Sequence, residues 1–288
     1  GCLSFEGNTL FSDEQIRSKF SICEGDAYSP EKIRETIDNI TLLYGRRGHI
    51  EAFVNFEPQL EECGCIYSVK FKIEEGEQYR VGLIKVFGNC STQTNVILHE
   101  TLLVPGEVFN LERLRHTEER LRNMGYFKNV NVYAVRTEEE SSCLEGNYRD
   151  VHVEVEETRT GNFGLFFGFS TVESVFGGLN ISESNFNYKG LRSVWRDGPQ
   201  ALRGGGEYLH FTGTIGAKSR KYMASWTKPH FMDTPWSVGI DLERSNNRYI
   251  SNDYQINAWG LNLRATYEIN AFLRLSWHYR IRNSDVDV

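Results

Sequence analysis

The stretch Val151-His152-Val153-Glu154-Val155-Glu156-Glu157-Thr158-Arg159-Thr160-Gly161-Asn162-Phe163-Gly164-Leu165-Phe166-Phe167-Gly168 decides the fold. Its first part alternates valine with polar residues, the period of a half-buried strand. Past Thr158–Asn162 the helical spacing seen earlier in the chain does not return, and strands rich in glycine and aromatics run to the last residue. All five Trp lie beyond residue 190 and all six Cys before residue 144. Residues 1–157 carry 17 basic and 28 acidic groups, net −11, whereas residues 158–288 carry 15 and 11, net +4. Such a shift marks a domain boundary near Thr158–Asn162.

Upstream of that boundary the chain is a degenerate repeat. Leu3, Phe5, Gly7, Asn8, Ile16, Gly25, Tyr28, Ile33 and Ile40 recur 81 positions later as Ile84, Val86, Gly88, Asn89, Ile97, Gly106, Phe109, Leu114 and Leu121. Val69, Phe71, Ile73, Glu74 and Glu75 answer Val151, Val153, Val155, Glu156 and Glu157. Ordered matches with length changes confined to loops are what tandem modules produce. Each unit, 1–78 and 79–157, reads strand–helix–helix–strand–strand. The first strand of each ends at Gly-Asn, a dipeptide suited to a tight turn with positive φ. Ser12 or Asp13 caps the first helix, carrying Ile16 and Phe20 inward, and Thr94 and Asn95 precede its counterpart. Ser29-Pro30 starts the second helix, whose inward stripe is Ile33, Ile37, Ile40 and Leu43 or Tyr44. In the second copy Asn110 caps a helix with Leu111, Leu114, Leu121 and Met124 on its apolar face.

The C-terminal region, 158–288, alternates with period two. Leu273, Leu275, Trp277, Tyr279 and Ile281 share one face of the last strand, and Arg274, Ser276, His278, Arg280 and Arg282 share the other. About seven strands are expected, near 162–171, 174–184, 206–217, 219–228, 236–248, 252–268 and 270–283. Strands of this length, apolar outside and polar inside, suit a membrane-spanning antiparallel barrel rather than a soluble sandwich. A barrel needs no apolar helix, and the chain has no apolar run long enough for one. An open sheet leaves an unpaired edge in lipid, so the chain is expected to be an internal piece of a longer protein.

At this point a family resemblance is carried by the residues. Tyr79-Arg80-Val81-Gly82-Leu83-Ile84-Lys85-Val86-Phe87-Gly88-Asn89 and Arg120–Phe127 resemble parts of a POTRA module of the outer-membrane assembly factor BamA family. Val151–Glu157 followed by Thr160–Gly164 and Gly168 resembles that family's passage from its last POTRA into its first barrel strand. Phe176–Asn185 and Thr227–Phe231 are similar to later barrel segments. The resemblance covers essentially the whole chain. It implies two membrane-proximal α+β POTRA modules in tandem, then the first seven of roughly sixteen antiparallel transmembrane strands. One departure stands out: the segment Arg192–Gly206 is an insert where the family has a short turn.

The resemblance implies insertion of β-barrel proteins into the bacterial outer membrane, with the POTRA modules in the periplasm. Its partners would be nascent barrel proteins, accessory lipoproteins and outer-membrane lipid. The alternative is a related two-partner-secretion or translocation barrel that exports a polypeptide. The candidate template for a client strand is Phe163, Gly164, Leu165, Phe166, Phe167, Gly168 and Phe169, where glycines ease strand separation or merely relieve crowding beside aromatics. His49–Glu57 and Phe127–Arg136 are candidate soluble edges. No metal-ligand spacing, nucleophile elbow or phosphate loop appears, so neither an enzyme nor a cofactor is expected. The acidic N-terminal half lacks a nucleic-acid signature. Cys63-Gly64-Cys65 offers too few ligands for structural zinc. Six cysteines allow fifteen full pairings. If the first and third strands of the module are neighbours, Cys2 and Cys65 form the preferred disulfide.

Overall fold

The computed structural model describes residues 3–20, 29–60, 67–137, 146–171, 174–248, 254–270 and 272–287. The chain divides into two compact units. One comprises residues 1–87, 101–123 and 130–155; the other comprises 88–100, 124–129 and 156–288.

The repeat is realised twice as β-α-α-β-β. The first copy is β1 (Leu3–Glu6), α1 (Asp13–Arg17), α2 (Pro30–Gly45), β2 (Phe53–Leu60) and β3 (Tyr67–Glu74). The second is β4 (Arg80–Phe87), α3 (Thr94–Leu98), α4 (Leu111–Asn123), β5 (Phe127–Arg136) and β6 (Tyr148–Glu157). Both sheets place the third strand in the middle, in the orders β1-β3-β2 and β4-β6-β5. The first strand pairs parallel to the third, Leu3 opposite Val69 and Ile84 opposite Val151. This is the neighbour relation on which the Cys2–Cys65 pairing was premised; those two cysteines lie outside the described residues.

The caps follow local chemistry. Ser12, not Asp13, caps α1, in a capping box with Gln15. Asn110 Oδ1 accepts the N–H groups of Glu112 and Arg113 at 2.9 and 3.2 Å. In the second copy Gln93 is the N-cap of α3, and Thr94 is already helical. Each long helix also differs from its expected stripe. Thr36 and Thr117, which are 81 residues apart, are fully buried, and each hydroxyl donates to a carbonyl one turn back, of Lys32 and Arg113, at 2.8 Å. The internal bond lets a hydroxyl replace a hydrocarbon in the core without an unmet polar group. Tyr44 is fully buried in the core, packing edge-on against Phe11 at 5.0 Å, and Leu43 packs against it partly buried. Around it Ile16, Ile40, Val54, Val69, Phe71 and Ile73 form the first core. Each buried aliphatic side chain stabilises by about 1.5–3 kcal/mol.

From Gly161 the chain is a seven-stranded antiparallel meander: β7 (Gly161–Ser170), β8 (Ser174–Phe186), β9 (Glu207–Gly216), β10 (Ser219–Lys228), β11 (Trp236–Arg248), β12 (Gln255–Asn270) and β13 (Leu273–Asp287). The register carries one face unbroken across the sheet. Leu165 faces Leu179, Ile181 faces Phe211, Leu209 faces Trp226, Trp226 faces Ile240, Ile240 faces Leu263, and Leu263 faces Tyr279. The opposite face is polar. There the Asp241 carboxylate accepts from Ser225, Asn262 and Arg264 at 2.6, 2.8 and 2.8 Å. Gly239, in register with Arg264, leaves room for the guanidinium: a Cβ there would stand 2.9 Å from its Nη2. Among the described residues no helix is long and apolar enough to cross a membrane.

Candidate functional site

Strand β7 is one edge of the seven-stranded sheet, paired only with β8 among the described residues. An edge strand presents a row of backbone N–H and C=O groups, a template for another strand. Phe163, Leu165, Phe167 and Phe169 project on one side and are strongly exposed, Phe167 at 83% and Phe169 at 86%. Phe166 and the three glycines Gly161, Gly164 and Gly168 have separate roles. Register sets Phe166 opposite Gly178, Phe167 opposite Gly177, and Gly168 opposite Phe176. A Cβ at Gly177 would stand 2.9 Å from the Phe167 ring, and one at Gly168 would stand 2.5 Å from the Phe176 ring. The glycines therefore seat aromatic rings across the strand pair, a known way to recover packing lost at glycine. At Gly168 relief of crowding accounts for the residue. Gly164 is different: nothing lies within 4 Å of the place its Cβ would take.

The base of β7 is held by a polar cluster that the sequence did not reveal. The Thr160 hydroxyl donates to Glu183, and Arg203 donates to Thr160 at 3.0 Å while pairing with Glu183 at 3.5 Å. Buried Asn185 donates to Thr92 at 2.9 Å and accepts from Gly206 N at 2.8 Å. The insert supplies Gly204-Gly205-Gly206; Gly204 and Gly205 lie against backbone, of Ser91 and of Phe186 and Asn187, and Gly206 lies against the Val96 side chain. Gln93 N donates to Gly204 O at 2.9 Å, and a Cβ at Gly204 would collide with the Ser91 carbonyl. Gly204 lets the loop 88–93 lie directly on the insert. The Glu157 carboxylate completes the attachment, accepting from Ser91 N and Thr92 N. Its repeat partner Glu75 accepts from Thr9 N and Leu10 N in the same way. Burial alone would raise both carboxyls, but the donated hydrogen bonds outweigh it and hold each below the ordinary carboxylate value.

Beside this cluster is a cavity of about 520 Å³ lined by His99, Glu100, Tyr126, Tyr188, Lys228 and His230, among others. The His99 and His230 rings stack at 4.8 Å, with His99 beside Asp233 at 3.0 Å and His230 beside Glu100 at 3.3 Å. Burial, with the Glu100 and Glu183 charges, pushes the Tyr126 hydroxyl up to about 12. His230, Met232 and Asp233 all hold positive φ, each at a cost of about 1–2 kcal/mol. Among the described residues no cluster of His, Cys, Asp and Glu has the makings of a metal site.

The expected soluble edges β2 and β5 each lie at the margin of a module sheet. β2 starts at Phe53, later than expected at His49; the His49 ring instead lies within 3.2 Å of the Glu75 and Gly76 carbonyls.

Residues 2–76 and 79–158 match the POTRA family, described as a surface antigen variable number repeat, and residues 202–288 match the Omp85 superfamily domain. The chain belongs to the POTRA family, whose two repeats cover more than half of it. The outer membrane protein assembly factor BamA of Nitratidesulfovibrio vulgaris is 25% identical over 98% of the chain and 33% of its own length. In solved structures the chain is similar to BamA from Haemophilus ducreyi lacking POTRA domains 1-3, with TM-score 0.78 and 15% identity over 99% of this chain and 50% of that one. CdiB from Escherichia coli is similar with TM-score 0.51 and 13% identity, over 100% of this chain and 51% of that one. The chain thus spans about a third of the length of the curated relative. The seven-stranded sheet is part of an outer-membrane barrel, and the POTRA modules lie in the periplasm. β7 follows the second module directly, so the turns after β8, β10 and β12 return to the periplasmic side.

Proposed function

We propose that this chain is the membrane-proximal part of a protein that assembles β-barrel proteins into the outer membrane. In this reading the modules are 1–78 and 79–157, the barrel starts at 158, and β7 is the strand on which a client strand forms. The observation that carries it is the edge position of β7, with its exposed Phe163, Leu165, Phe167 and Phe169. A client strand in lipid has no water to satisfy its backbone, so a paired edge lowers the cost of entry. Adding a strand to an edge supplies backbone hydrogen bonds without demanding a particular client sequence. Edges β2 and β5 offer the same chemistry in the periplasm to clients or accessory lipoproteins.

The test uses the full-length protein. Leu165→Pro or Phe167→Pro deletes one N–H of the strand and fixes φ. The two N–H groups, two residues apart in one strand, point to the same side, and client assembly in cells is expected to fail while the protein itself still reaches the membrane folded. A disulfide locking β7 to the closing strand should block assembly and be reversed by reductant. Normal client assembly by the locked, folded protein would overturn the template. The export reading differs in its cargo: it requires a polypeptide released outside the cell, measured directly in the medium.

A further inference from the structure

The insert between β8 and β9 is a closed, folded loop. Asn187 N donates to Leu202 O at 2.8 Å, and Gly190 lies so close to the Ala201 carbonyl that no side chain fits there. Between these points run two short 3-10 segments, Tyr188–Arg192 and Pro199–Leu202, flanking α5 (Val194–Asp197). The loop is rooted on the apolar side of the sheet. Glu207 alternates in phase with Leu209, Phe211 and Ile215, the apolar row of β9. Its carboxylate, 1% exposed, accepts from Tyr188 N at 3.0 Å, Trp226 Nε1 at 2.9 Å and Lys228 Nζ at 2.7 Å. The Tyr188 ring meets Trp226 edge-on at 6.1 Å. The insert therefore emerges at the periplasmic foot of the apolar wall, on the outside of the barrel.

Outward from that root, large apolar side chains continue. Tyr188, Leu191 and Trp195 follow at spacings of three and four, one side of a helical path. All three are exposed, Trp195 at 96%. Basic residues alternate with them. Lys189 and Arg192 have no carboxylate partner among the described residues, and Arg196 is bonded to its neighbour Asp197 at 2.9 Å. A bare indole on a tightly tied loop is poorly placed in water. Indole rings flanked by Lys and Arg suit the headgroup layer, with the ring among the upper acyl carbons and the cations at phosphate.

We propose that the insert is a membrane-interface anchor whose Trp195 and Leu191 lie in the phospholipid surface on the periplasmic side. Lipid is the occupant because the patch continues the lipid-facing wall through Tyr188 and Trp226.

The test is tryptophan quenching in the whole protein, in nanodiscs of phosphatidylethanolamine and phosphatidylglycerol with ordinary or brominated acyl chains. Subtracting the emission of Trp195→Phe from that of the parent isolates Trp195; Trp259→Phe does the same for a residue on the barrel wall. Brominated chains are expected to lower the Trp195 signal roughly twofold or more, as for a residue at the acyl boundary. A Trp195 signal indifferent to brominated chains overturns the anchor. If aqueous iodide quenches it instead, the loop faces water; if neither does, protein covers it. Quenching at Trp259 without quenching at Trp195 overturns the anchor while leaving the barrel intact. Indifference at both positions overturns the lipid-facing wall as well.

Discussion

The carboxylate of Glu157 accepts the backbone N–H of Thr92 at 2.6 Å. It joins the last residue of β6 to the turn after β4, and Glu75 makes the equivalent bonds to Thr9 and Leu10. A single acceptor thus closes the Gly-Asn turn in both copies of the repeat.

Glu157→Ala should leave the N–H groups of Ser91 and Thr92 without their acceptor. The expected cost is about 1–3 kcal/mol, and Glu75→Ala should behave alike in the first module. Urea denaturation followed by circular dichroism measures both. Because the folded carboxyls sit below their ordinary value of 4.5, their contribution is complete above that pH. It is lost as pH falls below 4.5 through the folded value. The alanine variants should show a shallower loss of stability in that window than the parent; an unchanged acid profile would remove the clamp from the account.

Glycines in the β7–β8 hairpin should respond unequally to alanine. At Gly164 the methyl meets open space, so Gly164→Ala should change barrel stability little. At Gly178 it would collide with the Gly213 carbonyl and the Phe166 ring, so Gly178→Ala should weaken the barrel markedly. Overpacking of this kind costs about 1–3 kcal/mol. The temperature at which the folded band disappears in semi-native electrophoresis compares the two. Equal tolerance at both positions would show that the hairpin is looser than its register requires.

Glu207 should be more sensitive than its neighbours. Glu207→Ala leaves the Lys228 ammonium, 23% exposed, without a counter-charge and strands the donors of Trp226 and Tyr188. Breaking a buried pair on one side costs about 3–5 kcal/mol. Glu207→Gln keeps the acceptor and should cost less. The same electrophoretic transition ranks them, and a smaller loss for alanine than for glutamine would contradict the pairing.

The cysteines separate by chemistry. Cys90 is a free, exposed thiol and should be alkylated in the folded, unreduced protein. The Cys2–Cys65 pairing predicts a linked peptide, found by mass spectrometry after digestion without reductant. Recovery of Cys2 and Cys65 as separate alkylated peptides would refute it.

The repeat and the strand phases of the barrel were legible because each rests on local periodicity. Side-chain direction alternates every residue in a strand and every three to four in a helix, so Leu275 and Trp277, or Ile33 and Ile40, reveal their side without reference to partners. The seven strands lie within a few residues of their expected places for that reason. Long-range polar partners leave no such trace. Thr36 and Thr117 fall outside the expected apolar stripes, yet are buried, because a carbonyl one turn back accepts each hydroxyl. Glu207, Asn185 and the three glycines at 204–206 acquire meaning only from Lys228, Thr92 and Ser91, each distant in the chain. The sequence by itself determined which residues share the apolar face of each strand and that the module occurs twice. Which carboxylates tie turns and insert together was decided by tertiary structure, because hydrogen-bond partners are chosen by proximity in space and not by period along the chain.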